Sequence, residues 1–394
     1  MSNNDPVVIV SAKRTPIGAF QGGLSGAQSQ DLGATAIKAA VEAAGIKGED
    51  VNEVFMGCVL PAGLGQAPAR QAALGAGLPK ETGCVTLNKV CGSGMKTTMM
   101  AADLITAGSA DVIVAGGMES MTNAPYLLPN ARGGMRMGHQ QVIDHMFFDG
   151  LQNPYDGQMM GMFGDQCATK YNFSREDQDN FSIESVKRAQ KAVEDGSFKD
   201  EIVPVTVKHR KGETVVDTDE EPARCNIEKI PTLRAAFSKE GTVTAASSSS
   251  ISDGAAALVL MRQSEAERRG LKPLAKIVGH AGHAQEPEWF TTAPVGAIAN
   301  VLKKVDWKAD DVDLYEINEA FAVVAMAAMK EHNLPHDKVN VNGGACALGH
   351  PIGATGARLI VTLLHALKAR GGKKGVASLC IGGGEATAIA VEML

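Results

Sequence analysis

The chain has 394 residues, a formal net charge of −6 and a hydrophobic content of 44 %, which is ordinary for a soluble globular protein of two or three domains. The acidic balance argues against broad binding to nucleic acid or to a membrane surface, because both need a basic face. Glycine is frequent, with 44 residues, while aromatic residues make up only 4 %. Small and aliphatic side chains are therefore expected to form most of the core.

The seven cysteines indicate neither a disulfide framework nor a zinc site, since their number is odd and no C-x-x-C pair occurs. Reduced thiols in the cytoplasm fit this pattern better. The first residues lack the charged and apolar segments of a secretory signal. No apolar run is long enough to span a bilayer, and the last residues are not a peroxisomal signal.

The first 120 residues alternate between strand-like and helix-like segments, which is typical of an α/β architecture. β-Branched runs mark the strands, and glycines follow the helices. Strands are predicted over Val7–Ser11, Val54–Leu60, Cys84–Val90 and Asp111–Ala115, and helices over Ser29–Ala44, Ala67–Ala76 and Ser93–Thr106.

The segment from 121 to 250 is instead rich in turn residues. Ser174 is a predicted N-cap followed by acidic residues, and its helix is expected to run to about Glu194. Lysine and arginine are frequent from Lys187 to Lys239. These basic residues are either a solvated face or an anion-binding lid over a phosphate-bearing ligand.

Regular α/β texture resumes near residue 251 and repeats the order of the first part at low identity. Strands are predicted over Ala255–Met261, Val312–Ile317, Val339–Asn342, Gly375–Cys380 and Ala386–Val391, and helices over Glu319–Lys330 and Ala357–Arg370. Each part has a glycine-rich turn that carries one reactive residue, Cys91 or His350. If the two halves meet, both turns reach one crevice, where open α/β sheets place their sites.

Cys91 lies between a predicted strand and a predicted helix, within the sequence Cys-Gly-Ser-Gly. A thiol at a helix N-terminus faces unpaired N–H groups and the positive end of the helix dipole. Its nucleophilic thiolate form is therefore expected to be favoured. The alternative is a small buried hydrophobe, which is the commoner fate of a free cysteine.

Three further residues stand at strand ends or helix starts, where α/β enzymes place working groups. His350 lies between Gly349 and Pro351, Cys380 ends a strand before three glycines, and Asn318 follows another strand. Each also has a structural alternative: a satisfied histidine, a core cysteine and the N-cap of the next helix.

Seven short motifs together carry a resemblance to the thiolase family, and most closely to its acetyl-CoA acetyltransferase branch, over essentially the whole chain. They are Asn88–Lys96, Ala115–Met121, Gly241–Ala245, Asn318–Phe321, Asn342–Ala345, Gly349–Gly353 and Cys380–Gly384. The resemblance implies the thiolase fold, in which two similar α/β halves form a layered αβαβα core with an inserted loop domain. The implied domains are an N-terminal half at 1–120 completed by 251–271, a loop domain at 121–250 and a C-terminal half at 272–394.

The resemblance also implies an acyl transferase that reversibly condenses two acetyl-CoA to acetoacetyl-CoA and CoA through an acyl-cysteine, by a ping-pong mechanism. Cys91 is then the nucleophile, His350 accepts its proton and holds the thioester oxygen, and Cys380 moves the proton of the acetyl methyl group. Asn318 holds a water that forms one oxyanion hole with His350, and backbone N–H groups of Cys91 and Gly382 form the other. A thioester carbanion needs such a base and such donors, and a thiolate leaves readily between two acyl transfers.

Coenzyme A is implied as a substrate, with no other cofactor and no metal, and the loop domain is expected to cover it. By resemblance the contacting residues are Ser249, Ala246, Met160, Phe237, Arg224, Phe290, Ala320 and Phe321. The implied partners are acyl-CoA molecules, without nucleic acid or membrane. The family suggests a cytoplasmic homotetramer with a role in fatty acid metabolism.

The chain departs from the family pattern at two places. Ala246–Ser250 stands where Gly-Asn-Ala-Ser-Gly is common, and Met159 stands where biosynthetic members often have His. The first departure leaves the loop conformation open, and the second leaves the acyl-chain preference open. Bulky residues near the acyl end, such as Phe290 and Phe321, favour acetoacetyl-CoA. A 3-ketoacyl-CoA thiolase of broader chain length, acting in β-oxidation, is the alternative.

Other activities account for fewer of these residues. A ketoacyl synthase or a hydroxymethylglutaryl-CoA synthase carries His or Glu where Cys380 stands. A papain-like cysteine hydrolase leaves Cys380 unexplained. A catalytically idle lipid-binding module needs neither cysteine nor His350.

Overall fold

Strands of both halves of the chain form one ten-stranded mixed sheet in the computed structural model, which describes residues 5–394. Residues 1–4, which belong to the segment where no secretory signal is expected, lie outside the described residues. The strands are β1 Val7–Arg14, β2 Gly18–Ala19, β3 Glu53–Gly57, β4 Gly83–Leu87, β5 Val112–Ser120, β6 Tyr126–Leu127, β7 Ile143–Asp144, β8 Val205–His209, β9 Gly212–Val216, β10 Ser252–Arg262, β11 Ala275–Ala284, β12 Leu314–Ile317, β13 Lys374–Ile381 and β14 Glu385–Met393.

The helices lie between these strands, and several of them, such as α1 after β2 and α3 after β4, follow strands as the α/β pattern predicts. They are α1 Ser29–Ala44, α2 Pro68–Gly75, α3 Ser93–Ala107, α4 Met160–Tyr171, α5 Arg175–Glu194, α6 Glu221–Arg224, α7 Gln263–Arg268, α8 Ala293–Val305, α9 Ala322–His332, α10 Ala345–Leu348 and α11 Thr355–Arg370. The predicted helix after Ser174 is confirmed, with the Ser174 hydroxyl accepting the Asp177 N–H at 3.0 Å.

The sheet has the strand order β12-β13-β14-β11-β1-β10-β5-β3-β4, with β2 paired to β10. β3 is parallel to β4 and β5, and β12 is parallel to β13. The other pairs along this order are antiparallel. β1 and β11 connect the two halves through only two residue pairs, Val8 with Lys276 and Ile9 with Ala275. Each half therefore keeps its own set of strands.

Three apolar cores divide the molecule into layers. The central core contains residues of α3 and α11 together with strand residues of both halves. A second core packs α1 and α2 against the outer face of the N-terminal strands. A third packs α8 and α9 against the outer face of the C-terminal strands. The order helix, strand, helix, strand, helix is the expected αβαβα arrangement.

The strand predicted over Val339–Asn342 is wrong. Only Val339 forms a bridge, to Tyr315, and Asn340 has φ 48°, which ends extended structure. The Asn340 side chain instead takes over the pairing with β12, accepting from Ile317 N and donating to Ile317 O at 2.8 Å each. A side-chain amide thus replaces the backbone of a strand.

The helix predicted over Glu319–Lys330 begins later, at Ala322. The residues before it are held by the serine-rich loop, since Ala320 O accepts from Ser249 N at 3.0 Å and Ser247 O accepts from Ala322 N at 2.8 Å. These bonds also settle the conformation that the departure at Ala246–Ser250 left open. The loop and the start of α9 support each other.

Backbones of the two halves meet directly where α3 and α11 cross. A Cβ added at Gly94 would lie 2.8 Å from the backbone nitrogen of Ala357, and one added at Gly356 would meet the backbone of Met95. β5 continues through Gly117 to Ser120 rather than ending near Ala115. The two glycines within it let its backbone lie against Ala256 and Gly353, where any side chain would clash. These contacts bring the two glycine-rich turns together.

We expect Gly356→Ala to lower the free energy of unfolding by roughly 1–3 kcal/mol, because the added methyl group forces two helix backbones apart. Gly133→Ala is the matched control, since a Cβ there meets nothing within 4 Å. Thermal unfolding should show a midpoint several degrees lower for Gly356→Ala alone. Equal midpoints for the two variants would show that the crossing tolerates separation.

Candidate active site

Cys91 lies on a rigid turn between β4 and α3. Val90 has φ 45°, a left-handed conformation that is strained for a β-branched residue. Side chains hold this turn: Asn88 Oδ1 accepts from Val90 N at 2.8 Å, and Ser93 Oγ accepts from Lys89 N at 2.8 Å while donating to Val90 O at 2.7 Å. The strained turn therefore gives Cys91 a fixed position.

The backbone N–H groups of Gly382 and of Cys91 itself lie close enough to the Cys91 thiol to lower its pKa. Burial nevertheless raises the pKa of Cys91 to about 11, and these two N–H groups offset only part of that rise. Burial therefore outweighs the expected effect of the helix N-terminus, although the Cys91 N–H lowers the pKa in the expected direction. A base has to take the proton before Cys91 can act as a nucleophile.

Cys380 is the penultimate residue of β13, two residues before Gly382, and is fully buried. Burial raises its pKa well above the ordinary value, and the charge of the Cys91 thiolate raises it further. The two sulfur atoms are therefore close enough to influence each other's ionisation. The tight β13–β14 turn, with Gly383 and Gly384 at positive φ, positions Gly382 beside them.

His350 is buried and has a partner on each ring nitrogen. Nδ1 lies 2.6 Å from Oγ1 of Thr355, and Nε2 lies 3.5 Å from Nδ2 of Asn318. Burial lowers the pKa of His350 to about 3, and the positive charge of Arg358 lowers it as well. The imidazole is thus neutral near pH 7 and has a nitrogen free to accept a proton.

Asn318 follows β12 and is fully buried. Its backbone N–H donates to Ser378 O at 3.0 Å, and its side-chain Oδ1 has no hydrogen-bond partner in the described residues. It is not the N-cap of α9, because that helix begins at Ala322 with Phe321 as N-cap. The unpaired buried oxygen is available to a water molecule or a ligand.

A cavity of about 200 Å³ reaches His350 and is walled mostly by apolar side chains. Its lining residues are Met121, Phe147, Leu151, Met159, Met160, Gly161, Phe237, Ser248, Ser249, Ser250, Ile251, Ala320, Phe321, His350 and Ile352. A second cavity, of about 380 Å³, reaches Val90 and Gly382. Met160 lines both cavities, so this flexible side chain borders the space near His350 and the space near Gly382.

Three of the residues expected to contact coenzyme A do not line the cavity at His350. Ala246 packs in a neighbouring apolar core. Phe290 lies behind Phe321, with ring centroids 6.4 Å apart. Arg224 is exposed and pairs with Glu220 at 3.7 Å. The other five, which are Ser249, Met160, Phe237, Ala320 and Phe321, line it.

Part of the basic segment from Lys187 to Lys239 is engaged within the protein. Arg188 donates to Glu184 at 2.7 Å and to the carbonyl oxygen of Val339 at 2.7 Å. Lys191 pairs with Asp195 at 2.8 Å. Arg188 therefore supports the local fold, and Lys191 belongs to a solvated face.

Glu119 is a buried residue of the site's surroundings that no sequence reasoning singled out. Its carboxylate accepts backbone N–H groups of Val59 at 2.9 Å, Leu60 at 3.2 Å and Gly353 at 2.8 Å. Burial raises its pKa to about 7 against these bonds. Glu119 thereby fastens the turn after His350 to the N-terminal half. The only signal was its place in the motif Ala115–Met121.

The comparisons with known proteins identify the family. Two family models cover the chain: "Thiolase, N-terminal domain" matches residues 7–264 and "Thiolase, C-terminal domain" matches residues 271–393. The chain belongs to the thiolase family. No helix of the described part of this thiolase is both long and apolar enough to cross a membrane.

Several relatives of this thiolase are similar over almost their whole length. The chain is 52 % identical over 388 residues to the acetyl-CoA acetyltransferase of Chromobacterium violaceum, covering 98 % of this chain and 99 % of that protein. It is 49 % identical over 391 residues to that of Schizosaccharomyces pombe, covering 99 % of both. The crystal structure of the Bacillus anthracis acetyl-CoA acetyltransferase matches it with a TM-score of 0.97 at 43 % identity, over 99 % of both chains.

We expect the protein to lose stability in acid because His350 is buried in its neutral form. The ordinary histidine pKa of 6.5 falls to about 3 in the folded protein, so between these values only the unfolded chain binds the proton. The free energy of unfolding should therefore decrease as the pH falls through this window. Between pH 7 and pH 5 the wild type should lose on the order of 1–2 kcal/mol more than His350→Gln.

Urea unfolding of both proteins at the two pH values measures this difference. His209→Gln is the control, because His209 is exposed and its replacement should leave the acid sensitivity as in the wild type. Identical acid sensitivity of the wild type and His350→Gln would mean that the imidazole is charged, or solvated, in the folded state.

Proposed function

We propose that this thiolase catalyses the reversible condensation of two acetyl-CoA molecules to acetoacetyl-CoA and free CoA. The observations that support the proposal are two buried thiols, Cys91 and Cys380, whose charges affect each other's pKa, and a buried neutral His350 beside Asn318. Relatives at 52 % and 49 % identity are named acetyl-CoA acetyltransferases.

The first half-reaction is acyl transfer to Cys91. Nε2 of His350 takes the proton of Cys91, and the thiolate attacks the carbonyl carbon of acetyl-CoA. The oxyanion that forms accepts hydrogen bonds from the N–H groups of Cys91 and Gly382, both of which lie near the thiol and lower its pKa. The C–S bond to CoA breaks, and Cys380 gives its proton to the departing CoA thiolate. Acetyl-Cys91, imidazolium and the Cys380 thiolate remain.

The second half-reaction forms the carbon–carbon bond. The Cys380 thiolate removes a proton from the methyl group of a second acetyl-CoA, whose enolate oxygen is held by Nε2–H of His350 and a water on Asn318. The carbanion attacks the acetyl carbonyl, the Cys91 thiolate leaves, and His350 returns its proton. The raised pKa of Cys380 supports this sequence, because a strong base is needed for a weakly acidic methyl group.

The second thiol separates this proposal from the other activities considered. A hydrolase has no step in which a carbon acid is deprotonated, so Cys380 would have no task there. A condensing enzyme of the ketoacyl synthase or hydroxymethylglutaryl-CoA synthase type carries a different residue at that position. The buried Cys380, facing Cys91, fits the deprotonation step of thiolase chemistry.

We further propose that the chain assembles into a homotetramer in the cytoplasm and serves fatty acid metabolism, with the halves and the loop domain divided as the resemblance implies. β4 is an edge strand of the sheet with Val85 exposed, and edge strands pair readily. Exposed apolar side chains mark protein interfaces. The exposed large apolar side chains from the start of β6 up to α4 are Tyr126, Leu128, Met137, Val142, Phe147, Phe148 and Tyr155. All seven cysteines are free thiols.

We expect brief exposure to acetyl-CoA to place one acetyl group on Cys91, because Cys91 alone has the two donors that stabilise the acyl transfer. Mass spectrometry of the peptides locates the label. Cys380→Ser should still be acetylated but should fail to exchange the methyl protons of acetyl-CoA with deuterium. The overall reaction is followed as the loss of acetoacetyl-CoA absorbance after CoA is added. Cys91→Ala should show no such loss.

Labelling found only on Cys380 or Cys346 would contradict the proposed nucleophile. Normal proton exchange in Cys380→Ser would contradict the proposed base. Wild-type protein that leaves acetoacetyl-CoA and CoA unchanged would reject the proposed function as a whole.

We expect thiolysis to favour acetoacetyl-CoA over longer 3-ketoacyl-CoA. Phe147, Leu151 and Met159 wall the cavity that reaches His350. An added methylene gains about 0.8 kcal/mol where apolar space accepts it but costs about 1–3 kcal/mol where the cavity is closed. Values of kcat/KM for four-, six- and eight-carbon substrates should therefore fall along the series, and Met159→Ala should make the fall shallower.

A flat or rising wild-type series would instead support the alternative, a 3-ketoacyl-CoA thiolase of broader chain length. Such a result would leave the mechanism through Cys91 and Cys380 unaffected. Met159 and Met160 are the side chains to inspect in that case, because methionine is flexible enough to move aside for a longer chain.

A further inference from the structure

Thr355, the first residue of α11, contacts the one nitrogen of His350 that the proposed reaction does not use. Its Oγ1 lies 2.6 Å from Nδ1 of His350 and 2.9 Å from the carbonyl oxygen of Pro351. Thr355 is fully buried and His350 nearly so. Water therefore does not compete for these bonds, and each of them has a defined direction.

The direction follows from counting hydrogens. A hydroxyl has a single hydrogen, and a carbonyl oxygen can only accept. The Thr355 hydrogen therefore points to Pro351 O, since otherwise two acceptor oxygens would face each other at 2.9 Å. The Thr355 oxygen then accepts, so Nδ1 of His350 has to carry a hydrogen. Nε2 is left with its lone pair.

We propose that Thr355 is a positioning residue that holds His350 in the tautomer with Nδ1 protonated and Nε2 able to accept. This inference rests on the proposed function, in which Nε2 takes the proton of Cys91. In the other tautomer Nε2 carries a hydrogen and cannot accept the proton, so Cys91 stays a thiol. The bond at one ring nitrogen decides what the other can do.

The placement of Thr355 also controls the direction of the ring. Thr355 lies five residues after His350, and its backbone N–H also donates to Pro351 O at 2.9 Å. The imidazole is thereby tied to the first turn of α11, whose neighbouring residue Gly356 meets the backbone of Met95 in α3. The helix that carries Thr355 is thus fixed relative to the helix that follows Cys91.

The test replaces the hydroxyl and keeps the volume. Thr355→Val removes the acceptor, and Thr355→Ser retains it. Thr362→Val is the matched control, because Thr362 is a fully buried threonine of the same helix whose hydroxyl donates to Glu201 at 3.0 Å. If Thr355→Val is insoluble, Thr355→Ala removes the same acceptor.

We expect Thr355→Val to lower kcat for thiolysis roughly 10- to 100-fold, as loss of a histidine's orienting partner typically does, with KM little changed. Thr355→Ser should recover most of the rate, and Thr362→Val should be near wild type. Alkylation of Cys91 by iodoacetamide should slow in Thr355→Val to a similar degree. In a His350→Ala background the Thr355→Val change should have no further effect on alkylation.

Two failures can be told apart. Wild-type protein without thiolysis rejects the proposed function, while the alkylation rates still judge the role of Thr355, because they need only Cys91 and its base. Active wild-type protein with Thr355→Val indistinguishable from Thr362→Val overturns the inference. The inference is also overturned if Thr355→Val slows alkylation in the His350→Ala background as much as it does in the wild type. Such a result would assign Thr355 a purely structural role.

Discussion

The structure depends on the contact between α3 and α11, where glycine lets two helix backbones touch. Gly94 and Gly356 lie at this crossing, and each fits against backbone atoms of the other helix. Each helix begins directly after one of the two glycine-rich turns, so the crossing sets the distance between Cys91 and His350. No loop has to span the gap between the halves. The sheet could not set that distance alone, because the halves share only two residue pairs in it.

Burial determines the chemistry of the groups brought together there. Both thiols have raised pKa values and the histidine has a lowered one, so every working group is neutral in the resting protein. In the proposed mechanism charge appears only when a proton moves between them, and the N–H groups of Gly382 and Cys91 lie close to the Cys91 thiol. Such preorganised donors stabilise charge without a rearrangement at the moment of reaction.

The sequence predicted the fold well, and the reasons lie in local patterns, while the roles of Cys91, His350, Cys380 and Asn318 stay predictions. Turns with several glycines, such as the one before Ser93, have few structural explanations, and the β-branched runs around them are clear strands. The failures involve interactions between distant residues. Asn340 replaces a strand with its side chain, and burial raises the pKa of Cys91 against the effect of the N–H groups beside it. Glu119 and Thr355 act through partners that only folding brings near, so no local pattern could reveal their contacts.

The crossing of α3 and α11 also affects the electrostatics of the site. α3 begins at Ser93 and α11 at Thr355, so the positive ends of two helix dipoles converge on the space between the halves. A field of this sign favours an anion on a carbonyl oxygen and disfavours a cation on the imidazole beside it. The contact between α3 and α11 thereby also sets the electrostatic potential at the proposed site. A chain that loosened this crossing would lose catalytic power even with every reacting side chain still in place.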